Sequence, residues 1–306
     1  MEKTLFVKGA DNMKISMNLV ILEELYGAKK AAKMIKEAGF SACDFFIDLD
    51  KPESRWHSPD YKSIAAELRA DIESQGIEIN QTHAPFRFTA AQWDDPETFG
   101  IITKSLEISA LLGASISIVH PIHHTEYLGH EEEMFNINMD YYGRLVPYCK
   151  EYGIKVAVEN MWKRHKIRGN ISFDTCSTIP EFIRYVDTLN SEYIVACLDV
   201  GHVVLPDNRD TPADFVRALG HDRLKALHIH DNDYKSDAHW VPYQGKLDWS
   251  EIAKALGEID YDGYFTYEIN DYLIRNLPEG LIGDAVKYYG AVAKYIASQI
   301  DENRKK

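Results

Sequence analysis

The feature that most constrains this chain is a short apolar or β-branched run that recurs eight times, at intervals of about 30 to 40 residues, with an amphipathic stretch in each gap. The runs are Met13–Met17, Ala42–Ile47, Ile77–Thr82, Ser115–Val119, Ile154–Val158, Tyr193–Leu198, Leu224–Ile229 and Tyr264–Ile269. Between them, Ala28, Ala31, Ala32, Ile35 and Ala38 make one stripe at helical spacing, and Ile282, Ala285, Val286, Tyr289, Val292, Ala293 and Ile296 make another. Gly39, Gly76, Gly113 and Gly153 each stand shortly before a run, where a glycine closes the last turn of a helix in the left-handed conformation. Eight βα units in 306 residues predict a single (β/α)8 TIM barrel domain over residues 1–306, with a parallel eight-stranded core. A doubly wound sheet fits less well, because no G-x-G-x-x-G or Walker motif opens it.

Composition narrows the partners. Forty-eight acids against 34 Lys and Arg give a formal charge of -14, which disfavours phosphate backbones and anionic lipid. No run approaches the roughly 20 apolar residues of a membrane helix, and the first residues lack a long apolar segment before a cleavage site. A soluble cytoplasmic protein is expected, with room for a homo-oligomer. Cys43, Cys149, Cys176 and Cys197 stand far apart, so thiolate metal sites and redox pairs are not expected.

In such a barrel the reactive groups sit where strands end at their C-terminal side. The runs close on Asp48, His83, His120, Glu159, Asp199 and His228, and the last carries Glu268. A carboxylate ending an apolar strand meets a partly dry cavity, where an isolated charge is costly unless paired or metal-bound. Glu159, Asp199, His228 and Glu268 offer three oxygens and one nitrogen to Mn²⁺, Mg²⁺, Co²⁺ or Zn²⁺. His83, His202, Asp237 and His239 are further candidates for metal or substrate, and His230 for support of the ligands. Phe86, Trp93, Trp162 and His123, beside His124, are expected to wall the pocket, whereas His57, His130, His165 and His221 lie in polar segments.

Ala157-Val-Glu159-Asn, Cys197-Leu-Asp199-Val-Gly-His202, Leu227-His228-Ile-His-Asp231, Gly245-Lys-Leu-Asp-Trp249 and Tyr267-Glu268 resemble the xylose isomerase-like superfamily over most of the chain. That group includes sugar isomerases, ketose 3-epimerases, inosose dehydratases and epimerases, dehydroshikimate dehydratases and endonuclease IV. The resemblance implies that Glu159, Asp199, His228 and Glu268 hold the metal. The likeness to endonuclease IV implies that His83, His120, His202, Asp237 and His239 hold additional zinc.

Two positions depart from the epimerase pattern: Tyr234 stands where an arginine is usual, and His165 where an acid is usual. The segment after His83 offers only Arg87 to a phosphate, and acids follow it, so nucleic acid is not the expected partner. The expectation is a metal-dependent isomerase or epimerase of a sugar, sugar phosphate or cyclitol. Glu159 and Glu268 would exchange the proton through an enediolate, while His120 and His202 orient hydroxyls or shuttle protons. The alternatives are a metal-dependent lyase or dehydratase on a keto-sugar-like substrate and an endonuclease IV-like zinc phosphodiesterase.

Overall fold

The computed structural model describes residues 12–86, 92–123, 126–165, 169–269 and 272–304. Eight parallel strands form the barrel: β1 (Lys14–Asn18), β2 (Ala42–Phe46), β3 (Glu78–His83), β4 (Ile116–Ile118), β5 (Lys155–Glu159), β8 (Ile194–Asp199), β9 (Leu224–His228) and β10 (Tyr264–Tyr267). Each coincides with one of the eight apolar runs to within about two residues, the usual latitude of strand ends. They pair in the order β10-β1-β2-β3-β4-β5-β8-β9. A parallel bridge between Ile229 and Tyr267 closes the ring, with the Ile229 N–H donating to the Thr266 carbonyl at 2.9 Å. The fold is an α/β TIM barrel.

The outer layer forms because each helix carries one apolar stripe. The helix Ala28–Ala38 buries Ala28, Ala31, Ala32, Ile35 and Ala38, and the helix Glu279–Asn303 buries Ile282, Val286, Tyr289, Ala293 and Ile296. Burying an isoleucine of this kind contributes about 1.5–3 kcal/mol. The two helices touch where Gly290 passes the Ala38 carbonyl, so closely that a β-carbon there would lie 2.2 Å from that oxygen. At the end of the first, Gly39 takes φ 99°, a conformation that turns the chain into the next strand.

Between β5 and β8 the chain makes an antiparallel hairpin, β6 (Trp162–Arg164) and β7 (Ile171–Phe173). Sequence periodicity did not predict it, since three-residue strands carry too little pattern.

The barrel interior is divided. On the β4, β5, β8 and β9 side it is filled by Ile118, Ala157, Val195, Cys197 and Ala226. On the other side it is polar, with Ser16, Asp44, Asn80, Gln81 and Thr266 all buried. A bulge contributes to this: Ile79 pairs with Cys43 and Gln81 with Asp44, leaving Asn80 as an extra residue in β3.

Candidate functional site

β3, β5, β8 and β9 end on His83, Glu159, Asp199 and His228, while His120 and Glu268 lie just past β4 and β10. Because the strands are parallel, all six meet at one rim. His202 joins them through a helical turn, Val200–Val204, that begins at Asp199, whose Oδ1 accepts the His202 N–H at 2.8 Å. The acid-to-histidine spacing of three is thus a capping geometry.

Glu159 lies at the centre and is 1% exposed. Its Oε2 is 3.0 Å from His120 Nε2 and 3.7 Å from His83 Nε2, and its Oε1 is 3.1 Å from His228 Nδ1. Glu268 Oε2 reaches the same His228 nitrogen at 3.3 Å. Beside them, His239 Nε2 is 3.2 Å and His202 Nε2 3.5 Å from Asp237 Oδ2. His230 Nε2 lies 2.9 Å from Asp199 Oδ1, and its ring stacks on His239 at 3.9 Å between centroids.

Among the described residues, donor atoms within 4.8 Å of one another fall into four groups, three of which share members. They are Glu159, Asp199, His228 and Glu268; His83, His120 and Glu159; His83, His228 and Glu268; and His202, His230, Asp237 and His239. Imidazole and carboxylate donors without thiolates suit a hard or borderline divalent ion. The site's hydrogen bonding also leaves room for one. Glu159 Oε2, His228 Nε2, His230 Nδ1 and Asp237 Oδ1 are buried without a hydrogen-bond partner among the described residues. Among the described residues, the ion pairs of Glu159, Asp199, Asp237 and Glu268 are made by imidazoles rather than by Lys or Arg.

Backbone carbonyls orient three of the rings. Nδ1 of His83, His202 and His239 donates to the carbonyls of Ala84, Asn160 and Glu268 at 2.7, 2.9 and 2.7 Å. Each Nε2 is thereby left as the nitrogen that faces the acids. Without a metal, burial pushes His120 down to about 4. Burial also opposes charge on His239, but Glu268 and Asp237 outweigh it and raise its pKa to about 10.

A cavity of about 480 Å³ opens above the donors. Phe86, His123 and Trp162 line it, along with Lys163 and Arg164 from β6. Trp93, expected there, instead packs against the hydrophobic core and is not among the lining residues. Asp48 is likewise not among the cavity's lining residues: it accepts the Ser54 hydroxyl at 2.9 Å in the turn after β2. Tyr234 is exposed, with its hydroxyl on the Lys246 carbonyl, and His165 lies near Glu126. Arg87 and His124 fall outside the described residues.

Several residues that hold the site were not singled out by the sequence reading. Asn160 exchanges two bonds with the Asp199 backbone at 2.8 and 3.0 Å, tying the ends of β5 and β8 together. Asp231 is fully buried and accepts the N–H groups of Asn232, Tyr243 and Leu247 and the Trp249 indole at 2.9 to 3.1 Å. It latches the segment that carries Asp237 and His239. Asp174, 1% exposed, holds His123 Nδ1 at 3.0 Å. Asn160 and Asp231 do stand inside the motifs quoted above, whereas Asp174 has no comparable signal.

The family model for xylose isomerase-like TIM barrels matches residues 32–292, and the chain belongs to that family. It is 27% identical to the uncharacterized protein MJ1311 of Methanocaldococcus jannaschii over 91% of this chain and 87% of that one. It is 31% identical to a D-psicose 3-epimerase of Enterocloster bolteae, covering 74% of this chain and 72% of that one. It is 26% identical to a probable endonuclease 4 of a Geobacillus species over 67% and 70%. Among solved structures, a D-tagatose 3-epimerase-like protein superposes with a TM-score of 0.72 at 23% identity, over 95% of this chain and 99% of that one.

Proposed function

From its place in the xylose isomerase-like barrel family, we propose that this chain is a divalent-metal-dependent isomerase or epimerase of a sugar, sugar phosphate or cyclitol. The observation that carries the reading is the convergence of Glu159 and Glu268 on His228 Nδ1, at 3.1 and 3.3 Å, from two separate strands. The likeness to the Enterocloster bolteae D-psicose 3-epimerase supports the substrate class. Glu159, Asp199, His228 and Glu268 would hold Mn²⁺, Mg²⁺, Co²⁺ or Zn²⁺. A bound divalent ion supplies electrophilic stabilisation of the negative charge that develops when a C–H beside a carbonyl is deprotonated.

The chain's own groups perform the proton movements. One of Glu159 and Glu268 takes the proton from carbon, and the other returns one to the opposite face or the neighbouring carbon of the enediolate. His120 and His202 orient substrate hydroxyls, while Phe86, Trp162 and His123 bound a cavity of about 480 Å³, which accommodates a monosaccharide. A lyase reading shares the first step and differs in expelling a group β to the carbonyl.

A second reading is favoured by the two donor groups His83–His120–Glu159 and His202–His230–Asp237–His239. Together with the first they suit several zinc ions and a phosphodiesterase. The charge of -14 argues against duplex DNA as its substrate.

The test is metal content by elemental analysis, together with solvent deuterium incorporation into ketoses, aldoses and cyclitols. About one ion per chain with C–H exchange supports the isomerase reading. Three Zn²⁺ per chain with phosphodiester cleavage and no exchange overturns it. So does unchanged metal binding and turnover in both Glu159→Gln and Glu268→Gln.

A further inference from the structure

The polar half of the barrel interior forms a chain of contacts that ends at a metal-donor histidine. Ser16 Oγ donates to Asn80 Oδ1 at 2.6 Å, and Asn80 Nδ2 donates to Thr266 Oγ1 at 3.1 Å. Thr266 Oγ1 donates to Gln81 Oε1 at 3.3 Å, and Gln81 Nε2 donates to Asp44 Oδ2 at 3.1 Å. That same Asp44 oxygen is 3.6 Å from His228 Nε2.

Asp44 is 3% exposed, and its Oδ1 has no hydrogen-bond partner among the described residues. A buried carboxylate supported by one amide is costly unless a second group compensates it. His228 Nε2 is also without a hydrogen-bond partner, and it is the polar atom that faces Asp44. A ring movement of about 0.5 Å brings the two to hydrogen-bond distance.

His228 differs from its neighbours in which nitrogen it presents. His83, His202 and His239 tie Nδ1 to carbonyls and turn Nε2 to the acids. His228 turns Nδ1 to Glu159 and Glu268, so its Nε2 needs its own acceptor, and no backbone carbonyl is bonded to it.

We infer that Asp44 is the positioning residue of the centre: it takes the His228 Nε2–H, holds Nδ1 toward Glu159 and Glu268, and is itself held by the Gln81–Thr266–Asn80–Ser16 chain. The bulge at Asn80 matters here, because it lets two successive residues of β3 serve the interior. The inference rests on the metal reading of the site, and its test separates the two.

The experiment titrates chelator-stripped full-length protein with Zn²⁺ alone, against a chromophoric chelator, in wild type, Asp44→Asn and Asp44→Leu. Removing a carboxylate behind a ligating imidazole lowers affinity about 10- to 100-fold, so Asp44→Asn should lose roughly 10-fold and Asp44→Leu more. In parallel, spectra of protein labelled with ¹⁵N-histidine read the His228 Nε2–H directly. Wild type should show it protected from solvent, and Asp44→Leu should lose it. Should Asp44→Leu fail to fold, Asp44→Asn decides through affinity, with melting temperature as the fold control. Affinity within twofold of wild type in Asp44→Asn, or a protected Nε2–H that persists in Asp44→Leu, overturns the inference. If wild type binds no Zn²⁺ but its Nε2–H is protected only when Asp44 is present, the metal reading fails while the positioning contact stands.

Discussion

Glu181 gives a quantitative test of how the wall beside the site is held. Its carboxyl lies in a cavity of about 470 Å³ bounded by Tyr127, Phe135, Phe173 and Arg184, and it accepts the Tyr127 hydroxyl. Burial pushes its pKa from 4.5 up to about 7, against the Tyr127 bond, which favours the ionised form. Between those two values the folded protein keeps a proton that the unfolded chain has released, so stability falls as pH rises through that window. A gap of about 2.5 units corresponds to ~3 kcal/mol, and solvent reaching the carboxyl through the cavity mouth lowers the expectation to ~2 kcal/mol. Glu181→Gln keeps the shape and an acceptor for Tyr127 but cannot ionise. At pH 8 the variant should therefore melt about 4 °C above wild type, whereas at pH 5 the two should agree within about 1 °C. Scanning calorimetry of chelator-treated protein at both pH values measures the difference. An offset that is the same at both, or a variant less stable at pH 8, refutes the reasoning.

Four further outcomes are expected. Gly290→Ala should destabilise the fold by about 1–3 kcal/mol in thermal melts, since the new methyl meets the Ala38 carbonyl oxygen at 2.2 Å. Asp231→Ala frees three backbone N–H groups and the Trp249 indole and should cost about 3 kcal/mol, measured by urea denaturation; retention of full stability would show that water replaces the latch. Chelation should lower the melting temperature by several degrees, and re-addition of metal should restore it, because an ion bound only by the folded state stabilises that state. Asp174→Asn should raise KM more than it lowers kcat, by about tenfold, because His123 at the cavity wall loses the carboxylate that orients it.

The barrel was legible because its signal is repetition. Each run is short, but eight of them, four preceded by a glycine with positive φ, leave few other architectures. The rim was legible for a related reason: parallel strands bring their C-terminal residues together, so His83, Glu159, Asp199 and His228 could be read as neighbours from position alone. The supports behind them were less visible. Asp44 sits inside a strand of otherwise apolar character, and Gln81, the amide that supports it, is set opposite it by a change of register at Cys43/Asp44 that no alternation pattern contains. Trp93 shows the opposite limit, since an aromatic residue near a pocket and one packed on the core have the same local sequence.

The Asp231 latch has a consequence for motion. His83, Glu159 and His228 are fixed by strands of the closed ring, but Asp237 and His239 stand on a segment that departs at Asp231 and returns at Leu247 and Trp249. Local opening of such a loop is expected to cost less free energy than unfolding of the barrel as a whole. Such opening would dismantle the His202–His230–Asp237–His239 group while leaving Glu159, Asp199, His228 and Glu268 in place. The amides of Tyr243 and Leu247, which donate to Asp231, would report each such event as hydrogen exchange faster than that of the strands. On the metal reading of the site, the number of ions the rim holds is then a dynamic quantity, set by how often one loop lets go.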